Sequence, residues 1–231
     1  MMTPPNEASQ TLYAYERIRS DLLTGKLRPG GRLKINDLCK QLDINLSAVR
    51  EALSRLSSDG LVIALPQRGF RVAPVSQAEL FDLTATRIEI EQSCYRQAVD
   101  NPSIAWETEL VAAGHRLFRT PKHNAEGRLS DEWFKAHKEF HRALAAGCQS
   151  PWRLRLHDQL YVQAERYQRL SAAADGGTAR DIDAEHRDLM DAMLARDGGK
   201  ASALIATHLG TTATMLGSAS WEDEEEEAGA A

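Results

Sequence analysis

The sequence is poor in everything that marks a membrane or secreted protein. No apolar run approaches the roughly 18 residues that cross a bilayer, so no spanning helix is expected. The opening stretch MMTPPNEASQ has neither a basic n-region nor an apolar h-region, so no signal peptide is expected. Cys39, Cys94 and Cys148 are the only cysteines. Odd in number and without a CxxC pair, they argue against a disulfide framework and read as reduced core thiols of a cytoplasmic protein. No internal repeat is visible.

What is present divides into two parts. The 231 residues suit one large domain or two small ones. Residues 1–74 carry 11 Lys/Arg against 7 Asp/Glu, and the remainder 17 against 26, so a basic N-terminal part of charge +4 precedes an acidic one of −9. That split suggests that only the first part meets a polyanion. Residues 1–10 are expected to be disordered, as is the acidic tail 217–231 with its WEDEEEE run.

Between these ends the pattern predicts a mainly α chain. Tyr15, Ile18 and Leu22 recur at helical spacing over 11–24, and the turn Pro29-Gly30-Gly31 follows. A short helix over 34–42 and a tight connection at Asp43-Ile44-Asn45 lead to a helix over 46–59, with Asn45 as N-cap and Gly60 as stop. LVIAL and FRVAP flank Pro66-Gln67-Arg68-Gly69 as a small hairpin. Three helices and a hairpin in residues 11–74 describe a winged helix-turn-helix. On the helix over 46–59, Val49, Ala52, Leu53 and Leu56 form the inward side, while Ser47, Arg50, Glu51, Ser54 and Ser58 form a short-chained polar side. That side suits a helix entering the major groove of double-stranded DNA, and equally suits a solvated face. On the first reading Lys34, Asn45, Ser47, Arg50, Ser54, Arg55, Arg68 and Gly69 are the candidate DNA contacts. The modest charge favours a homodimer that uses two such modules.

The segments LLTGKLRPGGRL, SAVREALSRLSSDGLV and QRGFRVAPV resemble the GntR family of bacterial transcription regulators over residues 11–74. Such proteins usually carry a basic residue where this chain has Leu46 and a proline where it has Ala48, a departure that implies a different operator sequence.

Residues 75–216 are expected to form an antiparallel all-α bundle. Its helices are placed at roughly 77–99, 102–118, 129–147, 150–174, 178–196 and 200–216, broken at Asn101-Pro102, around Pro121 to Gly127, at Gly176-Gly177 and at Gly198-Gly199. The motif HKEFH at 137–141 is not a zinc-protease signature, because Lys138 stands where the general-base glutamate belongs. Its two histidines nevertheless share an inward face with Trp133, Phe134, Phe140, Leu144 and Cys148. His186 and His208 lie on similarly apolar faces, each roughly 15–18 Å along its helix from the expected Gly198-Gly199 turn, hence level with each other. A single inward histidine is more commonly a hydrogen-bonded core residue. Four that are geometrically compatible favour a metal held by His137, His141, His186 and His208. His115 and His157 also lie on partly apolar faces, and His123 reads as loop.

The bundle resembles the FCD effector domain of the FadR-type branch of the GntR family. That domain's signature sets an acid ahead of an FH pair and two further histidines near the C-terminus; Phe140-His141, His186 and His208 match, and His137 takes the place of the acid. The resemblance implies a divalent metal, and an all-nitrogen site favours Zn, with Ni as the alternative. It also implies a small carboxylate effector, with Arg87 on an inward face as the candidate partner for it, unless Glu91 one turn on neutralises that arginine structurally. The expected function is a DNA-binding transcriptional regulator, a repressor, that senses a small carboxylate through a metal-containing bundle. The alternatives are a metal-dependent enzyme and a regulator for which the ion itself is the signal.

Overall fold

The computed structural model describes residues 7–125, 130–171 and 180–217, which fall into two compact units divided between Ser76 and Gln77. The expected break at Gly176-Gly177, the acidic tail from 218 onward and most of the expected disordered N-terminus lie outside the described residues.

The first unit runs α1 (Glu7–Leu23), β1 (Arg32–Leu33), α2 (Ile35–Leu42), α3 (Leu46–Ser58), β2 (Val62–Leu65) and β3 (Gly69–Val72). Helix α1 starts four residues earlier than expected, so residues 7–10 are helical rather than disordered. Ala14, Ile18 and Leu22 of α1 meet a core formed by Val49, Ala52, Leu53 and Leu56 of α3, all at most 1% exposed. Full burial of each large aliphatic contributes about 1.5–3 kcal/mol. Helix α2 ends at Asp43, whose left-handed conformation (φ 53°) turns the chain back. Asn45 then starts α3 by accepting a hydrogen bond from the Ala48 amide at 2.8 Å. Gly60 stops α3 at φ 75°. The antiparallel sheet has the order β1-β3-β2, with Val62 opposite Val72 and Leu33 opposite Phe70. Strand β1 was not expected from the sequence: two residues after a Gly-Gly turn carry no period, and only pairing with β3 defines them.

The second unit packs α4 (Gln77–Asp100), α5 (Ile104–Arg119), α6 (Asp131–Ala146), α7 (Pro151–Ser171), α8 (Ile182–Leu194) and α9 (Gly198–Gly217). Ser103, Ser130 and Asp181 cap α5, α6 and α8 through their side-chain oxygens. Helix α4 lies against α6, α7, α8 and α9. The α8–α9 turn falls on Arg196 (φ 59°), not on Gly198-Gly199, which form the first turn of α9. Gly198 is there for space: a Cβ would sit 2.9 Å from Val99 of α4. Cys94 and Cys148 are buried as expected, whereas Cys39 is only half-buried on α2.

Two glycines give opposite predictions. A Cβ on Gly147 would lie 2.7 Å from the Trp106 ring and 2.8 Å from the Ala98 methyl, so Gly147→Ala should cost about 1–3 kcal/mol in urea unfolding. Gly210 is helical with nothing within 4 Å of its Cβ position. Gly210→Ala should therefore stabilise by up to about 1 kcal/mol in the same assay.

Candidate functional site

Ser130 fixes the start of α6, its Oγ accepting from the Trp133 amide at 3.1 Å. From there the 3.6-residue period turns Trp133, His137, Phe140, His141 and Leu144 inward, all buried. His186 of α8 and His208 of α9 face the same point. Ring centroids are 4.5 Å apart for His137–His141, 5.4 Å for His141–His186 and 4.8 Å for His186–His208. One nitrogen from each of the four lies within 4.8 Å of the others. His157 is buried outside this group, with Nδ1 3.3 Å from Asp158, while His115 and His123 are exposed.

The surroundings hold the rings from outside. His208 Nδ1 is 2.7 Å from Glu185 Oε2, and Arg180 donates to both Glu185 oxygens, from Nε at 2.6 Å and Nη2 at 2.5 Å. Arg180 also donates to the His208 carbonyl at 2.9 Å. His137 Nδ1 lies 2.5 Å from the Tyr161 hydroxyl, and its ring stacks on Trp133 at 4.7 Å. His141 Nδ1 is 3.6 Å from Glu91 Oε2, just beyond hydrogen-bond length. Glu91 itself accepts from Arg87 Nη2 at 2.7 Å and from the Tyr95 hydroxyl at 3.0 Å. Of these partners, sequence reasoning singled out Trp133, Arg87 and Glu91, and passed over Glu185, Arg180, Tyr161 and Tyr95. Glu185 adjoins a histidine of its own helix but bonds one on another, and Arg180 precedes α8, so no periodicity marks either.

Burial is the main cause of the site's electrostatics. It pushes the His137 and His186 imidazoles well below their ordinary range, and neighbouring rings would add repulsion to any protonated form. Burial lowers His141 to about 4 even though Glu91 favours its proton, and lowers His208 despite Glu185. For Glu91 burial works upward, but Arg87 and then His141 and His157 overcome it and hold the carboxyl well below the usual range. The rings are thus neutral at pH 7, and both nitrogens of His141 and of His186 are buried without a hydrogen-bond partner. Neutral, orphaned imidazoles on this scale suit a divalent ion, whose ligand nitrogens at 2.0–2.1 Å stand about 3.3 Å apart in a tetrahedron. Outer hydrogen bonds on Nδ1, which leave Nε2 inward, are the usual company of a histidine ligand.

Arg87 is buried and tied to Glu91 through Nη2, with its guanidinium 5.4 Å from the Tyr161 ring centre and its buried Nε without a hydrogen-bond partner. The structural pairing anticipated as the alternative is therefore the one present. Glu139 points outward to Arg116 at 3.5 Å and so is not available as a base at the histidines.

On the first unit, Ser47, Arg50 and Ser54 share an exposed face of α3. Lys34, Arg50, Arg68 and Gly69 line one cleft of about 470 Å³ with Arg32 and Leu46. Asn45 is committed to the α3 cap and to Gln10, to which it donates at 2.7 Å. Arg55 lies over the Tyr15 ring at 5.0 Å, on the flank of α3 turned toward α1.

A histidine whose folded pKa lies below its ordinary 6.5 takes up a proton on unfolding, so its stabilisation is complete above that pH and declines as pH falls toward the folded value. Melts of the chelator-treated protein should show Tm falling from about pH 6.5 toward 4. Glu91 adds its own loss only below its ordinary 4.5. His186→Leu, which removes one such group, should flatten the upper part of the slope.

Comparison with known proteins agrees with this division. The model of bacterial regulatory proteins of the gntR family matches residues 10–72, and that of the FCD domain matches residues 82–211. The HTH-type transcriptional regulator BphR of Paraburkholderia xenovorans is 38% identical over 209 residues, 87% of this chain and 83% of that protein. The HTH-type transcriptional repressor GlaR of Escherichia coli is 30% identical, covering 89% and 95%. Among solved structures, E. coli McbR/YncC shares the fold with a TM-score of 0.69 at 23% identity, covering 90% of this chain and 97% of that one. With a basic helix-turn-helix unit ahead of an all-helical one, and both matched, the chain belongs to the GntR family of bacterial regulators with an FCD domain and is a DNA-binding transcriptional regulator.

Proposed function

We propose that the helical unit holds one divalent ion on His137, His141, His186 and His208 and senses a small carboxylate there, altering how a homodimer grips operator DNA. The observation that carries this reading is the convergence of four buried imidazoles, two of them with no hydrogen-bond partner on either nitrogen. All-nitrogen ligation, with His137 where an acid is usual, favours Zn, with Ni as the alternative. A bound ion supplies a positive centre for an anion. This chain's residues do the rest: Glu185 and Tyr161 orient His208 and His137 through Nδ1, and Glu91 does the same for His141 at longer range. Arg87 is the candidate for pairing with the effector carboxylate, which requires it to exchange part of its bond to Glu91 for the ligand. Ser47, Arg50 and Ser54 are proposed to face the major groove, with Lys34, Arg68 and Gly69 beside them as backbone contacts. Asn45 acts by fixing the start of α3, and Arg55 contributes from the flank. A repressor follows the relatives named as such. A cytoplasmic location fits a DNA-binding regulator, and no described helix is long and apolar enough to cross a membrane.

One observation favours a second reading. Glu91 already neutralises Arg87 at 2.7 Å, which suits a site where the ion alone is the signal. The two readings separate in one titration. Under the first, zinc raises Tm, and a panel of small organic acids shifts operator affinity only in the zinc-loaded protein. Under the second, zinc alone changes affinity and the acids add nothing. Saturation at a hundredfold excess over Kd adds about 2.7 kcal/mol. His141→Ala and His186→Leu should abolish the zinc-dependent rise in Tm; a rise that persists in both contradicts metal binding at this cluster.

A further inference from the structure

We propose that Leu46 is a specificity residue that recognises thymine through its C5-methyl group. This rests on the reading of α3 as the helix that enters the major groove. Val49, Leu53 and Leu56 of α3 are all 0% exposed, whereas Leu46 leaves 45% of its surface open. Core packing therefore does not account for it. It stands in the first turn of α3, directly after the Asn45 cap, one turn ahead of Arg50. It lines the same cleft as Leu33, Ile35, Asp37 and the cations Arg32, Lys34, Arg50 and Arg68, so an exposed apolar side chain stands beside groups that suit phosphates and base edges.

An isobutyl group has no donor or acceptor with which to read a base edge. The major groove offers it a single apolar partner, the methyl of thymine. Against guanine O6/N7 or the amino groups of cytosine and adenine, it would displace water without replacing the hydrogen bonds. Attraction to thymine and exclusion of the other bases thus act in the same direction. Burying one methyl corresponds to roughly fourfold in affinity per contact. A two-fold symmetric complex would show the square of that factor.

The test uses the full-length protein and a duplex enriched by it from a randomised pool, with each thymine replaced singly by deoxyuridine to remove only the methyl. The expected result is one thymine per half-site whose replacement weakens wild-type binding roughly fourfold. Leu46→Ala should be indifferent to that same replacement, and Leu46→Arg should enrich guanine at that position. Deoxyuridine effects that are absent, or equal in wild type and Leu46→Ala, overturn the proposal. Arg50→Ala separates this from the underlying reading. If that variant still binds the enriched duplex as tightly as wild type, α3 is not the groove-reading helix. If it loses binding while methyl removal stays independent of residue 46, Leu46 alone is misassigned.

Discussion

Four uncharged imidazoles packed against one another inside the helical bundle are the constraint that orders the second unit. An imidazole in such a place is an expensive residue. Burial and its neighbours disfavour its protonated form, and each buried nitrogen left without a partner costs about 1–3 kcal/mol. His137 and His208 meet half of that demand through Tyr161 and Glu185. His141 and His186 meet none of it with protein hydrogen bonds. A divalent ion at the centre of the group is the one partner that would engage all four rings at once, and it would turn a destabilising cluster into a cross-link between α6, α8 and α9.

The rest of the unit keeps those rings in place. Ser130 sets the phase of α6, and the spacing of four stacks His137 and His141 on adjacent turns. The tight Arg196 turn folds α8 and α9 so that His186 and His208 stand level. Around them, charge is handled in closed groups: Arg87, Glu91 and Tyr95 on one side, Arg180 and Glu185 on the other. Each group presents a carboxylate oxygen toward a ring Nδ1. Arg87 is therefore a structural counter-ion, and its pairing with Glu91 is what an incoming anion would have to compete with.

Much of this was legible in the chain because it depends on short-range rules. The Asn45 cap, the Gly60 stop, the α3 wheel and the inward histidines all follow from helical period and capping chemistry, and the structure repeats them. What the chain concealed depends on tertiary placement. Strand β1 has two residues and no pattern of its own. Gly198-Gly199 looked like a turn because glycine is tolerant, yet Gly198 serves to let α9 approach Val99, while Arg196 takes the left-handed conformation. Glu185 and Tyr161 gain their roles from side chains on other helices, which no window of sequence brings together. The GntR and FCD resemblance supplied the pairing of the two units, and the family matches bear it out.

The central claim, that His137, His141, His186 and His208 share one ion, is tested most directly by X-ray absorption at the zinc edge on stoichiometrically loaded protein. Four nitrogen scatterers at about 2.0–2.1 Å, with the outer-shell signature of imidazole, are predicted. A shell dominated by oxygen or sulfur, or a protein that retains no zinc at one equivalent, would contradict it.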